Sequence, residues 1–237
     1  AEKDVIVIAN GEAEINGGHN VLIQTHRVTT TEGASNKVVV NDASFGNAEF
    51  DDSVIGNAQG NVTLNNVVAE NVTIQSGWGL IGQYDLESKD SNSVPGVNYS
   101  NRLPEAHFLT INNGRFENNQ TGWVGVVNIY SNAEINNSIF KNNKTTEVDD
   151  GGAAITLGGH AKLTINGSTF EGNQSANIGG AIATRPVGMN AGDNAQYGGS
   201  WIEIYDSTFL NNKANGAAGE QYSYYKRDQG NGGALWL

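Results

Sequence analysis

The stretch Leu163–Ile182, LTINGSTFEGNQSANIGGAI, decides how the chain folds. Leu163 and Ile165 flank Thr164 in strict alternation, the pattern of a short strand with one face in a core and the other in water. Five residues after Ile165 stands Phe170, and three residues later Asn173. Phe supplies a large apolar body, worth roughly 1.5–3 kcal/mol when fully buried. Asn tolerates left-handed backbone and can hydrogen-bond a turn from its own side chain, so Asn173 reads as a turn residue. Gly179-Gly180-Ala181 then opens a second strand at Ile182, where glycine lets the backbone bend sharply or approach a neighbour closely.

The same phrase recurs. Leu109 and Ile111 precede Phe116 and Asn119; Ile135 precedes Phe140 and Asn143; Ile202 and Ile204 precede Phe209 and Asn212. Gly151-Gly152-Ala153 and Gly232-Gly233-Ala234-Leu235 repeat the glycine entry of Gly179-Gly180-Ala181-Ile182. The four Phe are 24, 30 and 39 residues apart, a unit of two dozen residues carrying insertions of growing size. Such a unit, made of short strands, cannot bury its apolar face alone and must stack on its neighbours. The reading is an all-β parallel β-helix with coils about 4.8 Å apart. It predicts one interior column of Ile111, Ile135, Ile165 and Ile204, a second of the four Phe, and an amide ladder of Asn112, Asn136 and Asn166.

Working outward, residues 3–28 read as the first coil and part of its cap, with Ile15-Asn16-Gly17 matching Ile165-Asn166-Gly167. Residues 37–75 read as three degenerate copies. KVVVNDASFGN puts Val40, Asn41 and Phe45 at the places of Ile135, Asn136 and Phe140, AEFDDSVIGN substitutes Ile55 for the Phe, and VTLNNVVAEN substitutes Ala69. Three stretches break the pattern and are expected to be loop insertions: 83–106, 185–200 and 217–230. Loops of that length are usually functional or disordered. Residues 1–237 are expected to form one solenoid domain that stops in mid-coil, the front of a longer one, and the start at Ala1 fits a mature chain or a trimmed one.

Composition narrows the function. The net charge of −12 argues against nucleic acid and anionic membrane surfaces, which need clustered Lys and Arg. Three Pro and no Cys exclude collagen, a disulfide scaffold and a Cys-based metal site.

Paired GGA[ILV] and F-x-x-N tetrapeptides resemble those of the polymorphic membrane protein family of chlamydiae. The likeness rests on Phe116/Asn119, Phe140/Asn143, Phe170/Asn173, Phe209/Asn212, Gly179–Ile182 and Gly232–Leu235, while Gly151–Ile155 departs by an extra Ala and Val124–Val127 is a defective version. The resemblance implies an autotransporter passenger: a right-handed β-helix, secreted and held at the cell surface by a C-terminal β-barrel in the outer membrane of a Gram-negative bacterium. It also implies adhesion to a protein or glycan on a host or neighbouring cell as the function, with self-association as a further partner mode, and no cofactor.

Catalysis is the competing reading, because β-helices also carry polysaccharide lyases and glycosidases. Asp51/Asp52 and Asp149/Asp150 are the paired carboxylates such chemistry needs. Asp52 reads instead as the turn residue corresponding to Asn137 and Asp206, and Asp149-Asp150 as ordinary polar loop. Gly158-Gly159-His160 lacks the partners of a polygalacturonase site, and His19, His26, His107 and His160 lack zinc-ligand spacing. No catalytic, cofactor or metal residues are assigned. A passive stalk is the third reading, against which the three long insertions speak. Binding is assigned to the insertions, above all Tyr222, Tyr224, Tyr225, Lys226 and Arg227, since Tyr provides contact area at low entropy cost.

Overall fold

The computed structural model describes residues 4–8, 11–25, 37–57, 60–75, 79–83, 107–129, 132–147, 151–158, 161–184, 200–216, 221–222, 227–228 and 232–237. Almost every strand lies in one of three parallel sheets that run the length of a solenoid, as the repeat requires. The first sheet contains β1 (Val5–Ile8), β3 (Leu22–Thr25), β6 (Ile55–Asn57), β9 (Ile81–Gln83), β13 (Val127–Ile129), β17 (Ile155–Leu157), β21 (Ile182–Thr184) and β27 (Leu235–Trp236). The second contains β2 (Glu12–Asn16), β4 (Lys37–Asn41), β7 (Gly60–Asn65), β10 (His107–Asn112), β14 (Asn132–Asn136), β18 (Lys162–Asn166) and β22 (Trp201–Tyr205). The third begins with β5 (Ser44–Phe50) and β8 (Val68–Ile74). In the coils that follow it splits into pairs: β11 (Arg115–Glu117) and β12 (Gln120–Thr121), β15 (Ile139–Lys141) and β16 (Lys144–Thr145), β19 (Thr169–Glu171) and β20 (Gln174–Ser175), β23 (Thr208–Leu210) and β24 (Lys213–Ala214). From β3 to β24 each coil passes through the first, second and third sheets in turn.

The register sets like on like. Ile111, Ile135, Ile165 and Ile204 pair in succession, and Leu64 and Val40 continue the column upstream. Phe116, Phe140, Phe170 and Phe209 do the same, with ring centroids 4.9, 5.0 and 4.7 Å apart and interplanar angles of 20°, 1° and 4°. The coil spacing imposes that stacking. The amide ladder is longer than the repeat predicts. It runs Asn16, Asn41, Asn65, Asn112, Asn136, Asn166, and each Nδ2 donates to the Oδ1 one coil back at 2.8–3.0 Å.

Three readings of the sequence need correction. First, residues 37–75 hold two copies, not three. Ile55 lies in the first sheet opposite Ile23 and Ile81, while Ala69 alone stands between Phe45 and Phe116. AEFDDSVIGN is therefore the end of one coil and the start of the next, a distinction that local alternation cannot make. Likewise Leu22–Thr25 opens the second coil, since it pairs with β1. Second, the corner residue equivalent to Asn137 and Asp206 is Asp42, not Asp52. Asp42, Asn66, Asn113, Asn137 and Asp206 all have φ between 48° and 57°, whereas Asp52 is exposed and accepts a hydrogen bond from the Ser53 N–H at 2.7 Å. Third, the left-handed residue of F-x-x-N is the one before the Asn. Asn118, Asn142 and Asn211 have φ of 56°, 53° and 56°, and Gly172 has 66°. That kink splits the third sheet and turns the next side chain, the motif Asn, into the core.

A column the sequence reading missed closes the corner between the second and third sheets. Ser138, Ser168 and Ser207 each donate from Oγ to the carbonyl two residues back, at 2.9, 3.0 and 2.7 Å. Each also accepts a backbone N–H from the coil before, from Gly114, Ser138 and Ser168 at 3.0 Å. The glycine entry acts by close approach: a Cβ on Gly180 would sit 2.0 Å from the Gly233 carbonyl oxygen.

Candidate functional site

The tetrapeptide residues point inward. Phe116, Phe140, Phe170, Asn119, Asn143 and Asn173 are all buried, and Phe209 and Asn212 partly so. Asn143 shows what the motif Asn does. Its Nδ2 donates to the Phe116 carbonyl at 2.9 Å and to Asn173 Oδ1 at 3.0 Å, while its Oδ1 accepts from the backbone N–H and Nδ2 of Asn119 at 3.1 and 3.0 Å. Asn119 and Asn173 repeat the pattern. The side chain thus replaces the ladder bonds that the left-handed residue interrupts, leaving no buried polar group of the kink without a partner.

The profile of the Chlamydia polymorphic membrane protein repeat matches residues 167–185 and 206–237. Those two segments are similar to the polymorphic membrane protein repeat. The matched segments hold Phe170, Asn173, Gly179–Ile182, Phe209, Asn212 and Gly232–Leu235, and pairing extends the Phe column of the repeat back through Phe140, Phe116 and Ala69 to Phe45. No curated protein and no solved structure matches the chain. Because the repeat spends its Phe, Asn and Gly on the core and corners, any recognition chemistry has to lie on the outward positions and the insertions.

The insertions leave the solenoid at two corners. The first two insertions are shorter by one residue than the sequence reading has them, because Gln83 is the last residue of β9 and Ser200 donates from Oγ to the Gly158 carbonyl. Residues 84–106 thus link β9 to β10 and 185–199 link β21 to β22, so both depart between the first and second sheets, as do residues 26–36 between β3 and β4. Residues 217–230 follow β24 and depart between the third and first sheets. Within that segment Tyr222 and Arg227 stand opposite one another in a short antiparallel pair, β25 (Gln221–Tyr222) with β26 (Arg227–Asp228). Tyr224, Tyr225 and Lys226 lie outside the described residues, as do the interiors of the other two insertions, Asp149, Asp150, Gly159, His160 and His26.

Among the described residues no group of three or more His, Asp or Glu is placed to hold a metal ion. Asp51 and Asp52 are exposed, and Gly158 is buried. The fold does bring His19 to Ser44, with Nδ1 and Oγ 3.0 Å apart. Asn20 decides the tautomer. Its Oδ1 accepts the Gly46 N–H at 2.9 Å, so its Nδ2 faces His19 Nε2 at 3.1 Å as a donor. The imidazole proton therefore lies on Nδ1 and is donated to Ser44, whose own proton goes to the Gly18 carbonyl at 3.4 Å. This arrangement clasps the first two coils; it does not draw a proton from the serine.

The outward row of β22 is a feature the sequence reading passed over. Trp201, Glu203 and Tyr205 alternate with Ile202 and Ile204, which pack against the core, so all three project from the second sheet. Trp201 is 63% and Tyr205 52% exposed. Trp201 Nε1 donates to Glu203 Oε1 at 3.1 Å, and Lys162 Nζ and Thr164 Oγ1 approach Glu203 Oε2 at 3.8 and 3.5 Å. The signal was present in WIEIY, where Trp201 and Tyr205 hold the outward places that Lys162 and Asn166 fill one coil earlier.

Proposed function

We infer that this chain is a surface-displayed adhesive β-helix of autotransporter type, which binds a partner on another cell through its insertions. The observation that carries this reading is the division of labour in the repeat. Its Phe and F-x-x-N Asn side chains are turned inward to hold similar coils together, while insertions are added at corners where the stack tolerates them. The similarity of residues 167–185 and 206–237 to a repeat of polymorphic membrane proteins supports a location at the cell surface. Secretion and display by a C-terminal outer-membrane β-barrel complete the proposal.

The test is replacement of residues 84–106, 185–199 and 217–230 by short turns, separately and together, in chain coupled to beads. The strand signal in circular dichroism is expected to persist, and attachment of the beads to cultured animal cells is expected to be lost. Full attachment after all three replacements would overturn the insertions as the adhesive surface, and no attachment by the unaltered chain would favour a stalk.

A further inference from the structure

We propose that Trp201, Glu203 and Tyr205 form a platform that binds a neutral oligosaccharide lying along β22. The two exposed rings are four residues apart on one strand, about 13 Å at roughly 3.3 Å per residue, the reach of a short oligosaccharide. The C–H face of a sugar ring is apolar and weakly electropositive, and it stacks on the electronegative face of an aromatic ring, which leaves the hydroxyls at its rim to be hydrogen-bonded. Acceptors and donors for those hydroxyls stand between and beside the rings. Glu203 is fixed in orientation by Trp201 Nε1 and keeps lone pairs free toward solvent. One coil earlier, Asn166 ends the amide ladder. Its Nδ2 is spent on Asn136 and Glu134, its register partner is Tyr205, and among the described residues nothing donates to its Oδ1.

Charge selects the class of sugar. Lys162 offsets Glu203 locally, and a net charge of −12 repels polyanions, so a neutral or N-acetylated glycan is the matched ligand and an acidic one is not. The face is flat, because it is the outer side of a sheet, which suits an extended chain of sugars more than a bulky apolar group needing a pocket.

The test uses saturation-transfer NMR and calorimetry on the intact chain with cellotriose, maltotriose, mannotriose and triacetylchitotriose, and trigalacturonate as the anionic control. Saturation is expected on ring C–H protons of a neutral trisaccharide with Kd on the order of 1 mM. Trp201→Ala and Tyr205→Ala should each weaken binding about tenfold or more while leaving the melting temperature unchanged, since both side chains are exposed. Three results would overturn the proposal: no neutral trisaccharide bound, trigalacturonate alone bound, or binding indifferent to both substitutions. Self-association that both variants abolish, without sugar binding, would show the row to be an interface between copies instead. Both variants keep every insertion, so lost sugar binding with attachment to cells intact separates this site from the adhesive reading above.

Discussion

Asn143 and Asn173 are joined across a coil boundary by an amide-to-amide hydrogen bond of 3.0 Å that is wholly buried. The same two positions are filled by Asn119 and Asn143 one coil earlier, and by Asn173 and Asn212 one coil later. This ladder runs inside the solenoid, whereas the ladder from Asn16 to Asn166 runs along its surface. The two differ in what they are worth.

Asn143→Ala removes an acceptor for the Asn119 backbone N–H and a donor to the Phe116 carbonyl, both in the interior. Each orphaned group costs about 1–3 kcal/mol, so a total loss of about 2–6 kcal/mol is expected. Asn112→Ala, on the half-exposed ladder where water can substitute, should cost less than about 1.5 kcal/mol. Urea midpoints of the two variants check the contrast, and equal losses would contradict it.

Phe170→Ala leaves a ring-sized void between Phe140 and Phe209 and should cost about 3–5 kcal/mol. Phe209→Ala should cost less, because Phe209 is only half-buried. Attachment by Phe170→Ala should fall only in proportion to the unfolded fraction; lost attachment at an unchanged melting temperature would assign this Phe a direct binding role.

Gly167→Asn should stabilise the fold by about 0.4–1 kcal/mol through a stiffer unfolded chain. Gly167 has φ of 57°, and Asn113 and Asn137 hold the same corner at 53° and 49°. A new Cβ would meet the tip of Asn137, Oδ1 at 2.7 Å, which can rotate to bond the incoming amide as Asn66 bonds Asn113. Gly180→Ala is the opposite case: its Cβ meets backbone on the next coil, and a loss above about 2 kcal/mol is expected. A thermal melt of each variant reads both signs.

Asn128 is fully buried and, among the described residues, neither its Oδ1 nor its Nδ2 has a hydrogen-bond partner; its register partners are Gly82 and Thr156. Asn128→Val should raise stability by about 1–2 kcal/mol by removing an unsatisfied amide. A fall in the urea midpoint would mean that bound solvent satisfies the group in solution.

The period, the strand alternation and the inward Phe and Ile columns were legible in the sequence, because parallel coils in register make equivalent residues neighbours. LTINGSTFEGN is its own alignment key. The serine corners were missed because Ser138, Ser168 and Ser207 look like ordinary turn residues until the preceding coil supplies an N–H to each. The role of the motif Asn was inverted for a similar reason. Asn118 and Asn119 are identical in type, and only the register shows which one turns left-handed and which one bonds the core.

What the sequence by itself determined is therefore the repeating unit and the direction in which its large apolar residues must face, both consequences of local period and hydrophobicity. The tertiary structure alone decided which early segments share a coil, which corner each insertion leaves from, and that Trp201, Glu203 and Tyr205 project beside Lys162, Thr164 and Asn166. Those relations join residues far apart in the chain, 24 positions for Phe45 and Ala69 and 39 for Lys162 and Trp201, and they are fixed by coil-to-coil register, which no stretch of chain contains.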